Sequence, residues 1–221
     1  MKSKIAVLGL AITASFASQA AVITLDDFTL NQAVNVAGSV STVGAGTNFS
    51  SRAVTLTSAA SNDFNPNVVI GTNVVNGVTG NYLQISGSNG SDYVASIKWT
   101  FNATVLAALA NASWSIDMNQ VFLDETVTVG GNPRTSANTG TTVNLGSGNG
   151  TGTLNPFSVT FNAAINSDST WSLLQATYRC NRGFDLTEAG TCVSTSVPEP
   201  GTIALLGLGL LGAGALRRKA K

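Results

Sequence analysis

The chain has 221 residues, 10% of them charged and 43% hydrophobic, with 23 glycines, two cysteines and no histidine. That length can bury the core of a β-rich domain. The missing histidine excludes Ser-His-Asp and Cys-His catalysis and His-ligated zinc or haem, and eleven bases against eleven acids argue against a general nucleic-acid binder.

The charges are segregated along the chain. Lys2 and Lys4 precede an uncharged apolar run from Ile5 to Phe16, followed by Ala17-Ser18-Gln19-Ala20 with small residues at Ser18 and Ala20. This is the pattern of a secretory signal peptide cut after Ala20. An uncleaved anchor fits less well, because the apolar run rises only about 18 Å as a helix and the hydrocarbon core is about 30 Å thick. The Sec translocon and signal peptidase are the implied first partners.

From Ala21 onward the composition shifts to Ser, Thr, Asn, Gly and Val, and helical periodicity fades. Alternating or β-branched runs at Ala21–Leu25, Arg52–Thr57, Tyr82–Ser86, Tyr93–Phe101, Ser113–Met118, Val121–Val129, Thr141–Leu145, Phe157–Phe161 and Thr170–Tyr178 read as strands. Turn formers lie between them at Asn76-Gly77, Ser88-Asn89-Gly90, Gly130-Gly131-Asn132-Pro133 and Gly146-Ser147-Gly148-Asn149-Gly150. The expected fold is all-β, an antiparallel β-sandwich of jelly-roll-like form over residues 21–178. Val105–Ala110 prefers helix and is expected to form a short turn or helix at one end of it. The segments Ile23-Thr24-Leu25-Asp26-Asp27-Phe28 and Arg52-Ala53-Val54-Thr55-Leu56 resemble secreted bacterial β-sandwiches of galactose-binding-like or concanavalin-like topology, which implies a fold class and no ligand.

Several residues invite a chemical reading. Asp26-Asp27 and Asp124-Glu125 are paired carboxylates, but neighbours on a strand point to opposite faces. Neither pair forms a glycosidase dyad alone, so solvated or strand-end positions are expected. Asp63-Phe64-Asn65-Pro66-Asn67 spaces oxygen ligands as a calcium loop does, yet Val68 and Val74 stand where that loop has Gly and Glu; an Asx turn is the simpler reading. Trp99, Trp114, Trp171, Tyr82, Tyr93 and Tyr178 are either core or a sugar-stacking platform, and large aromatics on strands are more often core. No catalytic residue, cofactor or metal is expected.

Cys180 and Cys192, in an exported region, are expected to form a disulfide stapling a loop and linker over residues 179–196. That loop resembles the last loop of an EGF-like module, without the module's other four cysteines.

After Ser196 comes Val197-Pro198-Glu199-Pro200, then an uncharged Gly/Leu stretch from Gly201 to Leu216, then Arg217, Arg218, Lys219 and Lys221. The prolines hold an extended segment, so a membrane helix starts only after them. The 201–216 stretch spans about 24 Å and is glycine-rich, a weak permanent anchor, and the basic cluster is a stop-transfer signal that stays inside. These residues closely resemble the PEP-CTERM sorting signal of diderm bacteria. The resemblance implies that Pro198, Glu199 and Pro200 are the recognition motif of an exosortase, a membrane protease or transpeptidase found in species that make exopolysaccharide. The precursor would sit in the inner membrane and the product at the cell surface or beyond, in an envelope or biofilm matrix; a simple tail anchor is the plainer alternative. A lectin or adhesin module, and less favourably a glycoside hydrolase, are the competing readings of the body. Between the two basic ends, eleven acids face only Arg52, Lys98, Arg134, Arg179 and Arg182, so the exported part is acidic.

Overall fold

The computed structural model describes residues 20–58, 67–87, 93–163 and 167–195. The expected signal peptide, the Asp63 loop, the turn at Ser88 and the whole C-terminal signal from Val197, its 201–216 helix included, lie outside the described residues. No helix among the described residues is long and apolar enough to cross a membrane.

The described chain is all-β with one short helix, and every strand pairing is antiparallel. In chain order the strands are β1 (Ala20–Asp26), β2 (Gln32–Val34), β3 (Val40–Val43), β4 (Phe49–Ser58), β5 (Asn67–Val75), β6 (Val78–Ser86) and β7 (Tyr93–Phe101). Helix α1 (Ala103–Leu109) follows, then β8 (Ala112–Leu123), β9 (Thr126–Val129), β10 (Asn132–Thr135), β11 (Thr142–Asn149), β12 (Phe157–Ala163), β13 (Asp168–Cys180), β14 (Phe184–Leu186) and β15 (Cys192–Ser194). One sheet has the order β11-β8-β13-β6-β5-β2, with β1 also on β13. The other has the order β10-β9-β12-β7-β4-β3, and β14 and β15 form a separate hairpin.

Strict alternation places the inner face of each strand. In β7, Tyr93, Ala95, Ile97, Trp99 and Phe101 are buried while the residues between them are not, as a half-buried strand requires. Both sheets contribute to one apolar cluster, and Phe161 of β12 meets Trp171 of β13 across it at 5.8 Å between ring centroids. All six of the Trp and Tyr residues singled out above are buried, so the stacking-platform reading is overturned. Their apolar area is core.

A polar clamp also crosses this core. Arg52 of β4 pairs with Asp26 of β1 at 2.6 Å, both side chains almost wholly buried. Asp26 also accepts from Trp99 Nε1 at 2.8 Å and from the Phe28 backbone at 2.9 Å, while Arg52 Nε donates to Gln32 Oε1 at 2.9 Å. Buried charge is tolerated where every lone pair and proton finds a partner. The expected solvated position for Asp26 is therefore corrected. Asp27 does stand at the strand end, its carboxylate accepting from Thr29.

Three local expectations change. Val121–Val129 is two strands, because Asp124 and Glu125 turn the chain between sheets. The glycine run at 146–150 is largely edge strand β11: a Cβ at Gly148 would lie 2.5 Å from the Trp114 indole, so glycine lets that ring lie over the strand. The strand β5, interrupted by Gly71 and Asn73, lacks the sequence alternation that would have marked it. The helix forms where expected, capped by Asn102, whose side-chain oxygen accepts from Val105 N at 3.1 Å.

Candidate functional site

The expected Cys180–Cys192 disulfide is present, with Cα atoms 5.4 Å apart. The loop it closes is more ordered than a linker. Its ends pair as β14 and β15, Tyr178 Oη donates to Gly190 O at 2.6 Å, and Asn181 N donates to Asn111 O at 2.9 Å. The stapled hairpin is docked on the body, and Thr195 returns to Gly183 O at 2.9 Å.

The paired carboxylates do not face one another. Asp26 has both oxygens engaged in the core clamp. Asp124 Oδ1 instead accepts from the Asp168 backbone N–H at 2.7 Å, fixing the turn that joins β8 to β9 beside the start of β13. Glu125 is exposed. Among the described residues no group of three or more Cys, Asp or Glu side chains is placed to hold a metal ion.

The outer face of the larger sheet carries a pocket of about 300 Å³ that no sequence motif marked. Register builds it. Phe122, Thr170, Gln84 and Val69 form one row across β8, β13, β6 and β5, and Asp168, Ser86 and Asn67 form the next. The β5–β6 hairpin supplies the remaining wall with Val74, Val75 and Asn76. Asn76 and Gly77 have positive φ, +50° and +79°, as a tight two-residue hairpin turn requires. Gly71 stands at φ +145° with its open side against Asn31, where a Cβ would collide with the Asn31 amide oxygen. Asn73 Nδ2 reaches the Gln84 side chain, tying the hairpin to the pocket floor.

Asp168 is the charged group in this wall. Its Oδ1 is buried without a hydrogen-bond partner among the described residues. Burial first, and then the nearby Asp124 charge, hold its carboxyl above the usual carboxylate value, while a hydrogen bond from the Gly87 backbone works the other way. A pocket with a few convergent polar groups and one perturbed acid is the common form of a ligand site. Sequence reasoning passed over it because its residues come from four strands; the one available signal was Asp168, a lone acid opening a long strand.

A second, smaller recess of about 200 Å³ lies between Asp26, Asp27, Asn48 and Leu173. The amide of Asn48 spans it to Thr24 O, and Asp26 is already committed to Arg52.

No curated protein and no solved structure matches this chain. Residues 196–219 match the family model of the PEP-CTERM protein-sorting motif. Pro198, Glu199, Pro200, Arg217, Arg218 and Lys219 all fall inside the matched span. Such a motif implies an exported chain that is membrane-anchored before an exosortase processes it. The chain thus carries a PEP-CTERM protein-sorting motif over residues 196–219.

Proposed function

We propose that the body is a non-enzymatic component of the cell envelope or extracellular matrix, a jelly-roll β-sandwich carried outward between two temporary labels. The observation that carries this reading is the sorting motif at residues 196–219, joined to an acidic, disulfide-stapled two-sheet body. The jelly-roll reading rests on strands β6 to β13. Their orders, 6-13-8-11 in one sheet and 7-12-9-10 in the other, are the interleaved arrangement of two Greek keys. Strands β5 and β2 extend the first sheet, and β4 and β3 the second.

In this reading the N-terminal signal is removed at Ala20 and the 201–216 helix holds the precursor in the inner membrane, with Arg217, Arg218 and Lys219 inside. The exosortase then acts at Pro198-Glu199-Pro200, and the body joins the exopolysaccharide or biofilm layer. The experiment is to express an epitope-tagged chain in an exosortase-positive diderm host, beside a variant with Pro198, Glu199 and Pro200 all changed to Ala. The native chain is expected as a shortened form outside the inner membrane and the variant as full-length protein within it. Equal release of both forms would sink the reading.

A further inference from the structure

The geometry points to the pocket on the outer face of the larger sheet as a binding site for a neutral saccharide, one sugar unit of a polysaccharide chain. The inference rests on the surface placement proposed above for the supply of ligand, and on the pocket alone for its chemistry.

Three features select the ligand class. The lining is mixed in the way a sugar ring is mixed: Asn67, Gln84 and Thr170 offer amide and hydroxyl groups, and Phe122 and Val69 offer apolar surface at the two ends of their row for the C–H groups of a pyranose. Asp168 lines the pocket as its acidic group, and a sugar hydroxyl can donate to a carboxylate without bringing a charge. The charge is one-sided. Asp168 is in the wall with Asp124 close behind it, and among the described residues no Lys or Arg lines the pocket, so uronate or sulfated polymers and nucleotides are repelled. The size, about 300 Å³, is at the small end of ligand pockets, which suits one ring and not a long stretch of polymer.

The pocket's position agrees. It sits at the Asp168–Thr170 end of β13, whereas β1 begins opposite Arg179 at the other end and the stapled hairpin departs from Cys180. From Thr170 to Arg179 the strand spans about 30 Å. Both flanking segments therefore leave the body at the end away from the pocket.

The test uses the full-length chain purified in detergent, titrated calorimetrically with maltohexaose, cellohexaose and mannohexaose, and with polyguluronate as the acidic control. Asp168→Asn, Gln84→Ala and Val69→Trp are compared with Gln175→Ala, which changes the same face of β13 outside the pocket. Thermal melts confirm that each variant folds. Binding of at least one neutral hexaose is expected, weakened about tenfold or more by Asp168→Asn and abolished by Val69→Trp, with Gln175→Ala unchanged. Silence toward all three neutral sugars, preference for polyguluronate, or binding indifferent to the pocket variants each overturns the proposal. So does stabilisation by calcium chloride alone that Asp168→Asn removes, since the carboxylate is then a cation ligand. None of these readouts depends on sorting, so failure here is separable from failure of the surface placement.

Discussion

Arg52 and Asp26 take opposite charges out of water inside an otherwise apolar interior, and their partners decide what that costs. Gln32, Trp99, the Phe28 backbone and the Leu30 carbonyl satisfy the remaining donors and acceptors, and the guanidinium lies 5.4 Å from the Phe49 ring centroid. Removing one member strands the other, at a cost of about 3–5 kcal/mol. Arg52→Met and Asp26→Leu are each expected to lose that much in urea unfolding, and the double variant clearly less than the sum. Additive losses would show that the two charges are not coupled. Neither residue announces this role in the sequence, where each looks like an ordinary strand-end charge.

Asp168 presents the opposite situation, a carboxylate with one oxygen buried and without a hydrogen-bond partner among the described residues. Its folded value is raised, so the folded protein holds that proton more tightly than the unfolded chain does. The contribution to stability is therefore fully present below the ordinary carboxylate value, about 3.9, and is lost as pH rises through the shifted value. Asp168→Asn is expected to melt higher than the native chain at pH 7, with the difference vanishing below about pH 4. A difference that stays constant from pH 3 to 7 would refute this. The same substitution is expected to weaken sugar binding, as residues kept for function often cost stability.

Among the elements, the strands with clean alternation were legible and those without it were not. Tyr93–Phe101 became β7 unchanged, since five alternating apolar residues admit one strand register. Strands β2, β3 and β10 are too short to show a period, and β5 is broken by Gly71 and Asn73. The bulges on β13, with Leu173 at φ +52°, follow from the packing of two sheets and leave no local mark. The cysteine pair was legible because its compartment was. A chain with Cys180→Ser and Cys192→Ser is expected to lose about 3 kcal/mol, the size the chain-entropy model gives for such a loop. Arg182, inside that loop, is expected to become a faster trypsin site. Urea midpoint and cleavage rate both unchanged would show that the docking contacts of Tyr178 and Asn181 hold the hairpin without the bond.

At the scale of the whole molecule, the sorting motif at residues 196–219 was plain in the sequence while the pocket was not. Labels are contiguous runs of residues. The pocket is a product of register across four strands and the tip of the β5–β6 hairpin, and no window of sequence contains it.

The long strand β13 links these two levels mechanically. It carries the Asp168 wall of the pocket at one end and runs, through the bulges near Leu173, into Cys180 and the stapled hairpin at the other. A pull applied between the pocket and the Cys180 end is thus directed lengthwise along one strand. That strand is laced to β8 on one side and to β6 and β1 on the other, by hydrogen bonds perpendicular to the pull. The load falls on many bonds in shear at once and not on one pair at a time, so the body resists stretching along this strand.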